Sequence, residues 1–275
     1  MTTPALAENV KGRGRHYRVP AREDLIPAVG EDHPILEIAG ELAPSVTNIQ
    51  GALSKPALPR WAAKVVAEQA WALRGSIGNL EEQEAIDLLK GSPWRSSTRA
   101  ANRGTSVHDL LERRTLGQED VELEGEAKEF LEGIDAFLEE HEIDPFITEV
   151  TMFSSKGYAG TADFLGLFDG QAVILDYKTG KGLYPEVGLQ LAALRAADIM
   201  IVNGEIKPVP ITDDGVAVLI SRKGYEVKRP RSFEEDLAAF LALLEVWRWQ
   251  NRDGKALEDW APPDPELDAV DLIPF

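Results

Sequence analysis

Cysteine is absent from the 275 residues, and that one absence removes disulfides, thiolate zinc sites and iron–sulfur clusters together. No apolar run is long enough to cross a bilayer. The opening stretch MTTPALAENVKGRGRHYRVP has no apolar segment ahead of a small-residue cleavage site. These features predict a soluble cytoplasmic protein with no membrane partner. A G-x-x-x-x-G-K-[ST] phosphate loop is missing as well, since TGKG at 179–182 does not satisfy it. Basic residues are in deficit: 29 Lys and Arg stand against 47 Asp and Glu, a net charge of -18. Bulk charge therefore argues against a protein that coats nucleic acid. It leaves open a site that binds hard cations, whose ligands are carboxylates.

What is present suits one large folded domain, or a core with an elaborated helical flank, with 44% hydrophobic residues for a core. Residues 1–43, with Pro20, Pro27 and Pro34, read as an irregular or partly stranded lead-in. Helices are expected over 59–75, 79–91, 96–116 and up to about His141. After Pro145 the pattern changes. ITEVTMFS alternates and is β-branched, GTADFLGLFDG ends on an Asp-Gly turn, and AVILDYK is an apolar run suited to a strand covered on both faces. A helix over EVGLQLAALRAADIM follows, then the strand GVAVLIS, a possible partner YEVKR, and a long helix from Ser232. The order predicts one α/β domain over 44–260 with a helical N-terminal extension, and an acidic, proline-rich tail at 261–275. Cations gather at Lys11, Arg13, Arg15, Arg18 and Arg22, at Arg95, Arg99 and Arg103, and at Arg222, Lys223, Lys228, Arg229 and Arg231. Each group reads equally well as a binding track or as a solvated face.

The chemistry concentrates between 149 and 190. Side chains at i and i+2 of a strand share a face, so Asp176 and Lys178 point together and Tyr177 points away. If the strand bearing Asp163 pairs alongside, two carboxylates and an ammonium converge. Magnesium takes one or two carboxylates and keeps water and phosphate oxygens around it. A neighbouring lysine can orient water and offset charge developing on a phosphate. Glu149 is a further candidate metal ligand, with a surface strand position as the plain alternative. Lys181 and Tyr184 read first as a solvated loop. Trp61, Trp71, Trp94, Trp247 and Trp249 read first as packing residues rather than a base-stacking platform.

GTADFLG, then VILDYKTGK, then GLQLAAL resembles the signature of RecB-like PD-(D/E)XK nucleases: Gly-x-x-Asp, Asp-x-Lys on the next strand, and a helix bearing Gln-Leu. RGTSVHDLLE resembles that family's histidine motif, and SVTNIQGALSKPALPRWAAK an N-terminal segment of small stand-alone members such as bacteriophage exonucleases. The resemblance covers residues 44–222. It implies a restriction-endonuclease-like PD-(D/E)XK core, a central mixed sheet flanked by helices. It also implies a Mg2+- or Mn2+-dependent DNA exonuclease acting in recombination, repair or processing, in the host cytoplasm if phage-encoded. DNA would be its partner, with a phage recombination or annealing protein as a second. His108, Asp163, Asp176 and the Tyr177 carbonyl would bind metal, with Glu149 as an additional ligand. Asp163, Asp176, Lys178 and Gln190 would form the catalytic set. Leu194 stands where the family helix carries tyrosine, and the four cluster cysteines of CRISPR-associated relatives are missing, so any such relative is cluster-free. The competing readings are a catalytically silent copy of the fold that binds DNA ends or a partner protein, and a metal hydrolase of another phosphate ester.

Overall fold

Two sheets organise residues 6–252, the span described by the computed structural model. The stretch 261–275, expected to be an acidic tail, lies outside the described residues. Strands β1 (Ala7–Val10) and β2 (Gly14–Arg18) form a hairpin, and β3 (Leu42–Pro44) pairs with β2. Helix α1 (Arg22–Val29) lies between them in sequence. The lead-in is thus more regular than its prolines suggest. Pro20 precedes α1 and Pro34 opens a 3-10 turn, places where a missing N–H costs little. Tyr17, Leu25 and Ile35 then build a small core with Phe153 and Ile199 of the larger sheet.

Helix α2 (Val46–Ile49) is capped by Ser45, whose hydroxyl accepts the Asn48 N–H at 3.1 Å. Helices α3 (Ala57–Ala72), α4 (Glu82–Lys90), α5 (Ser92–Thr115) and α6 (Leu131–Glu140) follow, close to the four predicted. Neither α3 nor α4 has a fully buried side chain, so both depend on packing against α5 rather than on a core of their own. Packing duty fails for three of the tryptophans. Trp71, Trp94 and Trp249 are 70%, 72% and 63% exposed, and Arg74 lies over the Trp71 ring.

Strands β4 (Ile143–Ser154), β5 (Tyr158–Phe168) and β6 (Gln171–Thr179) form an antiparallel meander. Asp169 and Gly170, both at positive φ, make the two-residue turn between Phe168 and Gln171. Helix α7 (Glu186–Arg195) comes next. It stops five residues short of the predicted Met200, because Ile199 and Met200 enter strand β7 (Ile199–Val202), which pairs with β4. Strand β8 (Glu205–Pro208) completes a hairpin through Asn203–Gly204, an unread turn signal. Strands β9 (Asp214–Ser221) and β10 (Gly224–Lys228) and helix α8 (Phe233–Gln250) end the described chain.

The result is a seven-stranded mixed sheet ordered β10-β9-β6-β5-β4-β7-β8, in which only β6 and β9 run parallel. Helices α7, α8 and α2 cover one face over Met152, Leu165 and Ile174. Helices α5 and α6 cover the other over Phe164, Leu175 and Tyr177. An α/β architecture with helices on both faces follows, and the continuous apolar character of β6 is explained by burial on both sides. No helix among the described residues is long and apolar enough to cross a membrane.

Candidate active site

The ladder between β5 and β6 ends at Phe164–Leu175. One residue further, the Asp163 carboxylate takes over from the backbone, its Oδ2 accepting the Tyr177 N–H at 2.8 Å. On the other side of β5, the β4 pairing skips from Thr148–Phe164 to Val150–Ala162. Glu149 sits in that gap at φ 50°, a left-handed conformation costly for a non-glycine residue. The sheet is therefore irregular on both flanks of Asp163, and a cavity of about 230 Å³ opens there. Both helical layers reach it. His108 of α5 approaches from one face and Gln190 and Leu194 of α7 from the other.

Helix α5 comes close because Gly104 has no side chain; a Cβ there would stand 3.0 Å from Thr179 Oγ1. One turn later, His108 Nδ1 lies 3.5 Å from Asp163 Oδ2. His108, Glu149 and Asp163 offer ligand atoms that all lie within 4.8 Å of one another. Opposite ligands of a magnesium-sized ion stand about 4.2 Å apart, so a small closure would bring the three around one cation.

Asp176 forms the second half of the cavity. It is 1% exposed, and its Oδ1 accepts the Gln190 amide N–H at 2.6 Å. Lys178 Nζ stands 2.5 Å from Asp176 Oδ2 and donates to Gln190 Oε1 at 3.2 Å. The Lys178 ammonium and the Gln190 amide thus each engage one oxygen of the buried Asp176 carboxylate. Tyr177 points the opposite way, into the core beneath α5, as alternation requires. Asp163, Asp176, Lys178, Gln190, His108 and Glu149 thus meet at one cavity. Within it, Glu149 rather than Asp176 completes the tight group with His108 and Asp163.

Electrostatics mark the site as short of positive charge. Glu149 is pushed up to about 7, first by burial, then by the neighbouring Asp163 and Glu112 carboxylates, with Arg15 partly offsetting them. Burial also raises Asp176, with Lys178 opposing and Asp163 reinforcing the shift. A divalent cation would relieve both. The donor set of one imidazole and three carboxylates, one of them fully buried, fits a hard or borderline divalent ion.

Three further residues belong to the site, of which Arg15 alone is among the predicted cationic tracks. Arg15 and Tyr17 of β2 line the cavity, and the Tyr17 hydroxyl is 3.0 Å from Thr161 Oγ1 on β5. Thr47 completes the rim. Arg15 carried a signal, as one of the basic residues near the start; Tyr17 and Thr47 carried none, because their relevance depends on where the small sheet docks. Leu194 stands where the resemblance calls for tyrosine. It packs on Gly160, where a Cβ would lie 2.8 Å from its Cδ2.

No protein-family model matches the chain, and neither does any curated protein. Among solved structures, one titled "Crystal structure of SSO0001" is 18% identical, with a TM-score of 0.25. The match covers 45% of this chain and 58% of that one. A likeness of that size carries no weight for fold or function.

Proposed function

We propose that this cavity is the active site of a divalent-cation-dependent nuclease with a PD-(D/E)XK-type core, hydrolysing phosphodiester bonds of DNA. The observation that carries the reading is the buried Asp176 carboxylate, held by Lys178 and Gln190 next to the His108–Glu149–Asp163 group. The arrangement of Asp-x-Lys on β6 with an aspartate of β5 at its shoulder supports the same reading. So does the resemblance of these motifs to RecB-like nucleases, whose setting in DNA recombination or repair is part of the proposal.

His108, Glu149, Asp163 and Asp176 would hold the cation, which supplies Lewis acidity to the phosphate and to the attacking water. Lys178 then has a defined task. Pinned between Asp176 and Gln190, its ammonium faces the reacting phosphate and offsets negative charge that builds up as water adds to phosphorus and the ester P–O bond breaks. Gln190 holds both partners, donating to Asp176 and accepting from Lys178, so it acts as a positioning residue.

Digestion of end-labelled single- and double-stranded DNA in magnesium tests this. Lys178→Ala is expected to slow cleavage by about 10²–10³-fold while manganese binding persists. Equal cleavage by both proteins would remove the lysine from the chemistry. Failure of the wild type to cut any DNA while still binding manganese would leave a silent copy of the fold.

A further inference from the structure

The family resemblance begins at residue 44, so the arm formed by β1 and β2 lies outside it. That arm is the most cationic segment bordering the cavity. From Lys11 to Arg18 the chain reads KGRGRHYR, with no acid among eight residues, in a protein of net charge -18. Lys11, Arg13 and Arg15 are all exposed. The arm is also held rigidly in place. The Asn48 side-chain amide donates to the carbonyls of Arg13 and Arg15, and the Ser45 N–H donates to the Arg15 carbonyl at 3.0 Å. Gly14, at φ 75°, leaves room for this clamp; a Cβ there would stand 2.9 Å from Asn48 Oδ1. Ser45 and Asn48 belong to the capped turn of α2, whose Val46 and Ile49 are buried in the main core. Cationic side chains on a fixed backbone lose less freedom on binding than those on a free tail.

The arm's position gives it a use. Arg15 and Tyr17, two residues apart on β2, both line the cavity that holds Asp163, Asp176 and Lys178. The Tyr17–Thr161 hydrogen bond fastens that strand to β5, the strand of Asp163. Arg15 therefore borders the cavity, and Arg13 and Lys11 precede it on the same hairpin.

We infer that the Lys11–Arg15 arm grips the sugar–phosphate backbone of a nucleic acid and leads it into the cavity, with Arg15 contacting a phosphate beside the reacting one. The inference deepens the nuclease reading and rests on it. Charge recognition by lysine and arginine is indifferent to base identity, so the arm confers affinity and alignment rather than sequence choice. It also explains how a strongly acidic protein would engage a polyanion, through one local cationic track that its overall charge conceals.

The test is binding without cleavage: fluorescence anisotropy of a labelled single-stranded oligonucleotide in EDTA, titrated with KCl. The proteins are the wild type, a Lys11→Ala/Arg13→Ala/Arg15→Ala variant, and a charge-preserving Arg13→Lys/Arg15→Lys variant. Each phosphate contact on a single strand contributes about 0.7 to the slope of log affinity against log salt. The triple alanine variant should therefore lose about 2 from that slope and bind at least tenfold more weakly at low salt, while the lysine variant keeps the slope. Unchanged affinity and slope in the triple variant would overturn the inference, as would a wild type showing no salt-dependent binding. An equal, arm-dependent affinity for polyglutamate would reassign the arm to acidic proteins. Retained manganese binding and an unchanged melting temperature confirm that the variants are folded. Arm-dependent binding by a wild type that cuts no DNA in magnesium would sink the nuclease reading and leave the arm standing.

Discussion

Glu149→Gln separates a carboxylate kept for a cation from one that merely fills a gap in the sheet. Glu149 titrates near 7 in the folded chain against an ordinary 4.5. Its folded value is raised, so folding favours the protonated form. Its stabilising contribution is whole below about pH 4.5 and disappears as pH rises through about 7. The gap of about 2.5 pH units at about 1.36 kcal/mol each sets a ceiling near 3.4 kcal/mol. The side chain is only partly buried, and solvent screening reduces that to about 1–2 kcal/mol. Glutamine mimics the neutral acid. In EDTA at pH 8 the variant should therefore melt higher than the wild type by about 2–6 °C, and at pH 5 most of that difference should be gone. Manganese should reverse the order at pH 8. A ligand at a hundred times its dissociation constant adds about 2.7 kcal/mol to the wild type, and the variant, with one anionic ligand fewer, should gain far less. Differential scanning fluorimetry in the four conditions reads all of this. A variant that melts lower than the wild type at pH 8 in EDTA, or shifts equally at both pH values, would refute the reasoning.

Other outcomes follow from single contacts. Tyr17→Phe removes the hydroxyl that meets Thr161 Oγ1 at 3.0 Å; a loss of about 1 kcal/mol in urea unfolding is expected, with manganese affinity unchanged. Ser232→Ala removes the cap that accepts the Glu235 N–H at 3.2 Å on α8, and should cost about 1 kcal/mol without altering cleavage. Asp176→Ala leaves Lys178 and Gln190 without their common partner and should weaken manganese binding at least tenfold by calorimetry; equal affinity would confine the ion to His108, Glu149 and Asp163.

Local patterns carried much of this structure. The alternation of β6 separates Asp176 and Lys178 from Tyr177 with no knowledge of neighbouring strands, since a period of two belongs to the strand itself. Ser232 caps α8 and Asp169–Gly170 turns β5 into β6 for equally local reasons, a side-chain acceptor and a tolerated positive φ. Asn203–Gly204, at positive φ, is an equally local turn signal, and the β7–β8 hairpin it forms begins where the apolar pattern predicts the last turn of α7.

Cross-strand register lay beyond such patterns. Nothing within ITEVTMFS announces that Glu149 falls in a gap of the ladder at φ 50°, beside His108 and Asp163. Nor does KGRGRHYR announce that it docks through Asn48 and Ser45 against the rim of a cavity formed more than a hundred residues later. A residue's own strand sets the direction of its side chain. Its distance to a group on another strand or helix depends on how the cores on the two faces of the sheet pack, and only the folded chain settles that.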